Sequence, residues 1–365
     1  MNTPATTPPD IRFCTAGDIV RVQHFLDTHW AKGHVLAHDH TLMDWQHADP
    51  ANNRYSFVVA QRPGEPEPDA ILGFITTRQY AEDITDSNAV WLTTWMVNPA
   101  IKAGGLGMRL VRFLQQNEPH TLIGTVGNNA AVAPVYKALG YTTGTLDRYV
   151  IINPFLREQH LLRGAARAKS ATARPANAVA RPLTHTDLCT PQATKLLAAS
   201  AIPKKTAAYI AARYLHHPTY EYTVYGISTD DAMHALAVTR LCTAKGATAL
   251  RVVDWFGPDA ALAPTGNALQ DLITRTGAEY ADIYVHGIPA SAFNATEWQP
   301  VPADGPLTVP NYFEPFDAAN TDIRFAVKTS VPNAPVRLFK ADADQDRPNT
   351  VSSHHSASAP AALTA

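Results

Sequence analysis

The sequence predicts an α/β protein built on mixed sheets (α+β), and three observations carry that expectation. A strand pattern, Ala89 to Val97, runs into Asn98-Pro99, then a glycine turn Lys102-Ala-Gly-Gly105-Leu-Gly107, then an amphipathic stretch from Met108 to Gln116. Two strand patterns before it, Arg54 to Gln61 and Ala70 to Tyr80, are joined by the turn-rich segment Pro63 to Asp69, which is a hairpin signal. An order of strand, strand, strand, helix, strand then returns in the second half, so an internal duplication is expected.

The elements follow in chain order. Ile11 to Cys14 reads as a first strand, and Thr15 with Asp18 three residues on forms a capping box that opens a helix through Trp30. Thr41 with Asp44 repeats the device for a helix from Leu42 to His47. After the glycine turn come a strand from Thr121 to Val126, a helix around Tyr136 and a strand from Thr145 to Ile152. Residues 162–181 are Ala-rich and carry Arg163, Arg167, Lys169, Arg174 and Arg181 with no acidic residue, the composition of a basic linker. Beyond it, strand patterns at Glu221 to Ile227, His234 to Leu241 and Thr248 to Phe256 precede a helix from Asn267 to Thr276 and a strand from Tyr280 to Val285. The expected division is therefore a disordered leader (1–10), a first domain (11–154), the linker (155–181), a second domain (182–340), and an acidic strap with a disordered tail (341–365).

Composition bounds the function. At 365 residues the chain is long enough for two or three domains. A net charge of −2 supplies no field for nucleic acid or an anionic membrane, so neither is expected as a partner. Cys14, Cys189 and Cys242 match no metal spacing and no disulfide framework. Met1 to Pro9 lacks the apolar core of a secretory signal, and the uncharged run Ala89 to Ile101 is too short to span a bilayer. A cytoplasmic protein is the expectation. Asp342-Ala-Asp344-Gln-Asp346 begins like a calcium loop but lacks the sixth-position glycine and has Ser353 where the closing glutamate belongs, so no metal is expected. That segment reads instead as a docking strap or as part of an acceptor pocket, and Asn311-Tyr-Phe-Glu-Pro-Phe316 as a structural plug or a pocket wall.

The chemistry is in the middle of the first half. A buried strand stops at Pro99, small residues let backbone approach a ligand closely, and a helix begins with its free N–H groups and positive dipole end towards it. Such a site binds a pyrophosphate. One strand and one helix later come Asn129 and Val135-Tyr136-Lys-Ala-Leu-Gly140-Tyr141, which set a phenol where it can protonate a leaving thiolate.

Together these patterns resemble the GCN5-related N-acetyltransferase (GNAT) superfamily, over roughly residues 11–154. Lys102, Gly105 and Gly107 fill its pyrophosphate loop, and Asn129, Tyr136, Gly140 and Tyr141 fill its later helix. The resemblance implies a GNAT acyl-CoA N-acyltransferase fold, in tandem with a second, degenerate GNAT-like domain. After Asp254-Trp-Phe-Gly257 the second half has no clustered glycines. It implies acetyl-CoA as co-substrate, held by backbone around Met96, Val97, Lys102, Gly105 and Gly107 with Asn129 nearby, and Tyr136 as the acid. Asn129 is an equally good helix N-cap.

Two features depart from the family pattern. Pro134 lies inside the expected helix, which must start late or kink there. The strand Ala89 to Val97 has no carboxylate, so the base must come from elsewhere. His34, flanked by apolar residues in the His-rich segment His29 to His40, is the first choice, and Glu82, Asp83 and Asp86 are rivals. The expected activity is transfer of an acetyl or acyl group to the amine of a small-molecule acceptor, an amino sugar being one candidate. The alternative is a non-catalytic acyl-CoA-binding regulatory or structural protein.

Overall fold

In a computed structural model, which describes residues 8–102, 104–156, 158–164, 178–294 and 296–349, backbone contacts divide the chain into two units. Unit 1 takes Met1–Ile75, Leu92–Glu118 and Arg347–Ala365; unit 2 takes Thr76–Trp91 and Pro119–Asp346. Most of the basic linker (165–177), the start of the leader (1–7) and the tail (350–365) lie outside the described residues.

Unit 1 is built from β1 (Asp10–Cys14), α1 (Ile19–Phe25), α2 (His40–His47), β2 (Arg54–Gln61), β3 (Ala70–Thr76), β4 (Ala89–Val97, from Leu92) and α3 (Leu106–Asn117). The strands lie in the order β1-β2-β3-β4, with β2 antiparallel to both β1 and β3. The capping box at Thr15 is present: the Asp18 carboxylate accepts from the Thr15 amide at 2.8 Å and from its hydroxyl at 2.7 Å. The helix it opens is less regular than expected, beginning with a 3-10 turn (Ala16–Asp18) and ending in a π-turn (Leu26–Trp30). The second helix starts earlier than the Thr41 reading. Asp39 caps it by accepting from the Leu42 amide at 2.9 Å, while the Asp44 carboxylate is taken by the Tyr55 hydroxyl at 2.6 Å. Val22, Phe25, Leu26, Leu42 and Met43 from the helices bury against Phe57, Val59 and Ile71, the alternate residues of β2 and β3.

Unit 2 continues the chain with β5 (Leu122–Val126), α4 (Ala133–Ala138), β6 (Thr142–Thr145), β7 (Asp147–Ile152), β8 (Val179–Leu183), α5 (Pro191–Ala198), β9 (Tyr222–Thr229), β10 (Ala232–Ala244), β11 (Ala247–Phe256), α6 (Leu262–Thr276), β12 (Tyr280–His286) and β13 (Arg324–Thr329). The first three residues of β4 pair in parallel with β5, from Ala89↔Leu122 to Trp91↔Gly124. A second sheet runs β8-β9-β10-β11-β12-β7, in which the parallel pair is β11 and β12. In each case a helix, α3 or α6, connects the two parallel strands.

The strand expected from Thr145 to Ile152 is two strands. After Leu146 the chain leaves β6 and β7 pairs antiparallel with β12, Tyr280↔Ile152 to Val285↔Asp147. The reason is burial on both faces: Tyr149 and Ile151 enter the core formed with α6, and Val150 and Ile152 enter the cluster with Tyr280 and Val309. In return, β13 fits antiparallel between β5 and β6. Each half thus lends one strand to the partner half's sheet.

One charged group ties this exchange together. Asp282 on β12 is fully buried between Arg148 of β7, 2.6 Å away, and Arg251 of β11, 3.1 Å away. Burial works to raise the Asp282 carboxyl, but the two guanidinium groups hold it below the usual carboxylate range. Asp282→Asn removes the charge and leaves two buried cations without it, a loss of about 3–5 kcal/mol. Chemical denaturation should show a midpoint lowered by that free energy divided by an unchanged slope; an unshifted midpoint would mean the carboxylate has no structural role.

Candidate functional site

In unit 1 the glycine turn is held from both sides. At the end of β4, the Asn98 amide donates to the Asp69 carbonyl at 2.9 Å, and the Asn98 side-chain oxygen accepts from the Ala100 amide at 2.9 Å. Met96 and Val97 stand half-buried just before this anchor. On the other side α3 is fixed by Leu106, Leu110, Val111 and Leu114, which are buried. Gly105 adopts φ +78° directly before the helix, and no atom lies within 4 Å of where its Cβ would be. The amides of Leu106, Gly107 and Met108 are among the first four of the helix, which have no carbonyl partner within it, and they carry the positive end of its dipole. Lys102 is exposed ahead of them.

Gly107 has a second reason to be glycine, which the sequence does not reveal. The Trp95 indole donates to the Gly107 carbonyl at 3.2 Å, and a Cβ on Gly107 would stand 2.8 Å from that indole nitrogen. A bulky residue there would displace Trp95, so the position packs the helix entry against β4 whatever else it does.

The histidines of the connection from His34 to His40 separate by environment. His38 lies 3.0 Å from Asp27 at the surface, and His40 contacts the Gln23 amide at 3.2 Å. His34 alone of the three is buried. Desolvation, then the Arg347 charge, push its imidazole down to about 4, so it is neutral at physiological pH. Its Nε2 faces the Arg347 guanidinium at 3.3 Å, while its buried Nδ1 has no hydrogen-bond partner. A neutral imidazole has one lone pair, and this geometry directs it at Arg347, leaving the proton on Nδ1. Arg347 and Trp95 are the two neighbours that sequence reasoning missed. Neither has a local pattern that signals a partner so distant in the chain.

Tyr136 and Asn129 belong to unit 2. Pro134 sits in the first turn of α4, where its missing N–H costs nothing, so the helix starts late as expected. Tyr136 is buried with its ring 5.2 Å from Tyr141, and burial pushes the phenol well above its ordinary range, so it keeps its proton. Gly140 closes the helix at φ +79°, and the Tyr141 amide donates to the Tyr136 carbonyl at 3.0 Å. Asn129 is exposed and caps the turn that precedes α4, accepting from the Ala131 amide at 3.0 Å. Of the rival bases, Glu82, Asp83 and Asp86 are exposed in unit 2, and Asp83 accepts from the Thr206 hydroxyl at 2.9 Å. Among the described residues no group of three or more His, Cys, Asp or Glu could hold a metal ion, and no helix is long and apolar enough to cross a membrane.

No protein-family model matches the sequence, and no curated protein matches it. The structure is similar to that of a GCN5-related N-acetyltransferase from Anabaena variabilis ATCC 29413, with a TM-score of 0.53 and 12% identity over 88% of this chain and 72% of that one. It is also similar to a conserved protein from Enterococcus faecalis V583 described as a probable N-acyltransferase, with a TM-score of 0.51 and 8% identity over 88% and 73% of the two chains. At these identities the likeness is one of fold.

The buried histidines give a pH dependence whose sign is fixed. His34 falls from 6.5 to about 4 in the folded chain, and His47, fully buried beside Ser56, falls to about 3. Between those values and 6.5 the unfolded state binds more protons, so stability should rise with pH through that window and be lost below it, by about 3 kcal/mol for His34 alone. His34→Gln should flatten this acid limb, and the His34 ring signals in NMR should stay those of neutral imidazole at pH 6. A His34 titration near 6.5 would contradict the burial and the Arg347 contact.

Proposed function

We propose that this chain, whose fold is GNAT-like, transfers an acyl group from acyl-CoA, acetyl-CoA in the simplest case, to the amine of a small molecule. The observation that carries the reading is the entry of α3: a left-handed, uncrowded Gly105 followed by helix amides that have no carbonyl partner within the helix. Those amides and the Lys102 ammonium suit a pyrophosphate. Backbone groups at Met96 and Val97 are the candidates for the thioester oxyanion. The amine nitrogen attacks the thioester carbon, the carbon–sulfur bond breaks and the thiolate takes the Tyr136 proton; the proton released by the amine passes to solvent water, from which the Tyr136 phenol is restored. We assign the cofactor to the first half alone. At the corresponding entry of α6, the Arg337 guanidinium already binds Asp259 at 2.7 Å and the Gly257 carbonyl at 3.0 Å, so that entry is occupied by the protein's own ion pair. On this reading the second half is a degenerate GNAT-like domain.

The rival, an acyl-CoA-binding protein without turnover, is favoured by one observation: the His34 lone pair is directed at Arg347 rather than left open for a proton. Two variants separate the readings. Gly104 has no atom within 4 Å of a Cβ, so Gly104→Val should fold normally yet block close backbone approach, weakening acetyl-CoA binding by about 100-fold if two charge-assisted hydrogen bonds are lost. Unchanged affinity by calorimetry would remove the pyrophosphate assignment. Tyr136→Phe should keep that affinity and lower kcat by about 10²–10⁴-fold. Thiol release that is equal in wild type and variant would make Tyr136 a packing residue, and none in either would favour the rival.

A further inference from the structure

Unit 2 holds a buried charge cluster that the acyl-transfer scheme does not use. Four cations, Arg148, Arg251, Arg240 and Lys340, are buried with two carboxylates, Asp282 and Asp346. The pairing is uneven. Asp282 takes both Arg148 and Arg251, and Asp346 takes Arg240 at 2.9 Å and the Tyr222 hydroxyl at 2.7 Å. Lys340 is 2% exposed and has no carboxylate within salt-bridge distance among the described residues; its ammonium stands 5.8 Å from the Tyr312 ring. Burial first, then Arg251 and Arg240, lower it to about 7, with Asp346 and Asp282 opposing.

A second observation points to a ligand. Asn311, next to Tyr312 and 1% exposed, has neither side-chain atom hydrogen-bonded, although its own carbonyl accepts from Arg251 at 2.5 Å. A buried amide left unsatisfied costs free energy, so native structures rarely keep one without a partner. The same neighbourhood reaches the turn after β5. The Gln345 amide donates to the Tyr312 hydroxyl at 3.3 Å, and its oxygen packs so close to Gly127 that a Cβ there would overlap it at 1.7 Å. Gly127 and Asn128, whose Nδ2 is also buried without a partner, begin the connection that leads through Asn129 into α4 and Tyr136. Tyr312 and Gln345 thus link the neighbourhood of Lys340 to the turn that leads into α4.

We propose that the acceptor is an amine bearing a carboxylate, and that this carboxylate pairs with Lys340, with the Asn311 amide as a second donor. The proposal rests on the acyl-transfer reading above and adds the substrate class. A carboxylate supplies negative charge to a cluster in which four cations face two carboxylates, and Lys340 is a point charge able to meet it without the fork of an arginine. Two sources share this chemistry, a free amino acid and an amino sugar carrying an acid group.

The test compares matched amines with and without the carboxylate: a panel of α-amino acids against their amides, and muramic acid against glucosamine. For wild type, KM for the carboxylated member of at least one pair should be tenfold or more below that of its partner. The pair that discriminates identifies the source. Lys340→Met, which removes a buried charge and so should not unfold the protein, should erase that difference while leaving acetyl-CoA affinity unchanged. Asn311→Leu should reduce it. Binding is measured separately by calorimetry at pH 8 in two buffers, without acyl-CoA. Lys340 is mostly neutral there and a bound carboxylate raises it, so about one proton should be taken up per ligand in wild type and none in Lys340→Met. Binding with proton uptake but no acyl transfer would keep the carboxylate site and discard the transferase reading. Transfer without discrimination in any pair, or discrimination that survives Lys340→Met, would overturn the proposal alone.

Discussion

The buried Asp282 carboxylate is the constraint on which the second unit depends. It lies directly beside Arg251 in the β11–β12 register and also holds Arg148 from β7, so one charge fixes three adjacent strands. Burial alone would favour protonation of this carboxylate; two guanidinium groups keep it ionised, and its charge offsets much of the cost of burying them. The arginines then spend their remaining donors on the chain that crosses them. Arg148 donates to the carbonyls of Val309 and Pro310, and Arg251 to those of Pro310 and Asn311. The segment carrying Asn311 and Tyr312 is thereby set in place by the same charges that hold β7 in a sheet of the second half.

That arrangement explains why the two halves cannot be cut apart at a linker. β7 is contributed to the second sheet from before the basic segment, and β13 returns to pair with β5 and β6 from far beyond it. The strand next to each parallel pair is borrowed, β13 beside β5 and β7 beside β12. The two pairs have the same connection through a helix but different chemistry at the helix entry. One offers uncrowded glycine and helix amides with no carbonyl partner within the helix; the other is filled by Arg337 and Asp259.

Much of the fold was legible because local pattern encodes it. β2 and β4 have the bounds read from their alternation and their flanking turns, and the parallel-pair helices follow from the glycine turn and from amphipathic spacing. What pattern could not supply was partner choice. Arg324–Thr329, with its apolar run Phe325-Ala-Val327, reads like many short strands, but its neighbours lie some two hundred residues earlier, and a sequence gives no local sign of that. The split at Leu146 was hidden for the same reason, since Thr145 and Asp147 look continuous until their separate sheets are known. The glycines, Tyr136 and Asn129 were singled out by their spacing and by the family resemblance it carries. Trp95 against Gly107 and Arg347 against His34 were not, because both depend on contacts rather than motifs. The charge cluster was hidden more deeply. Arg148, Arg251 and Lys340 look like solvated strand residues, and only burial shows otherwise.

The claim at the centre of the account is that the entry of α3 is built for a pyrophosphate, and a crystal structure of the protein with acetyl-CoA tests it most directly. The account predicts pyrophosphate oxygens within hydrogen-bonding distance of the backbone amides of Gly105, Leu106 and Gly107, with Trp95 unmoved against Gly107. A cofactor bound elsewhere, or a helix entry that stays bare at saturating acetyl-CoA, would contradict it.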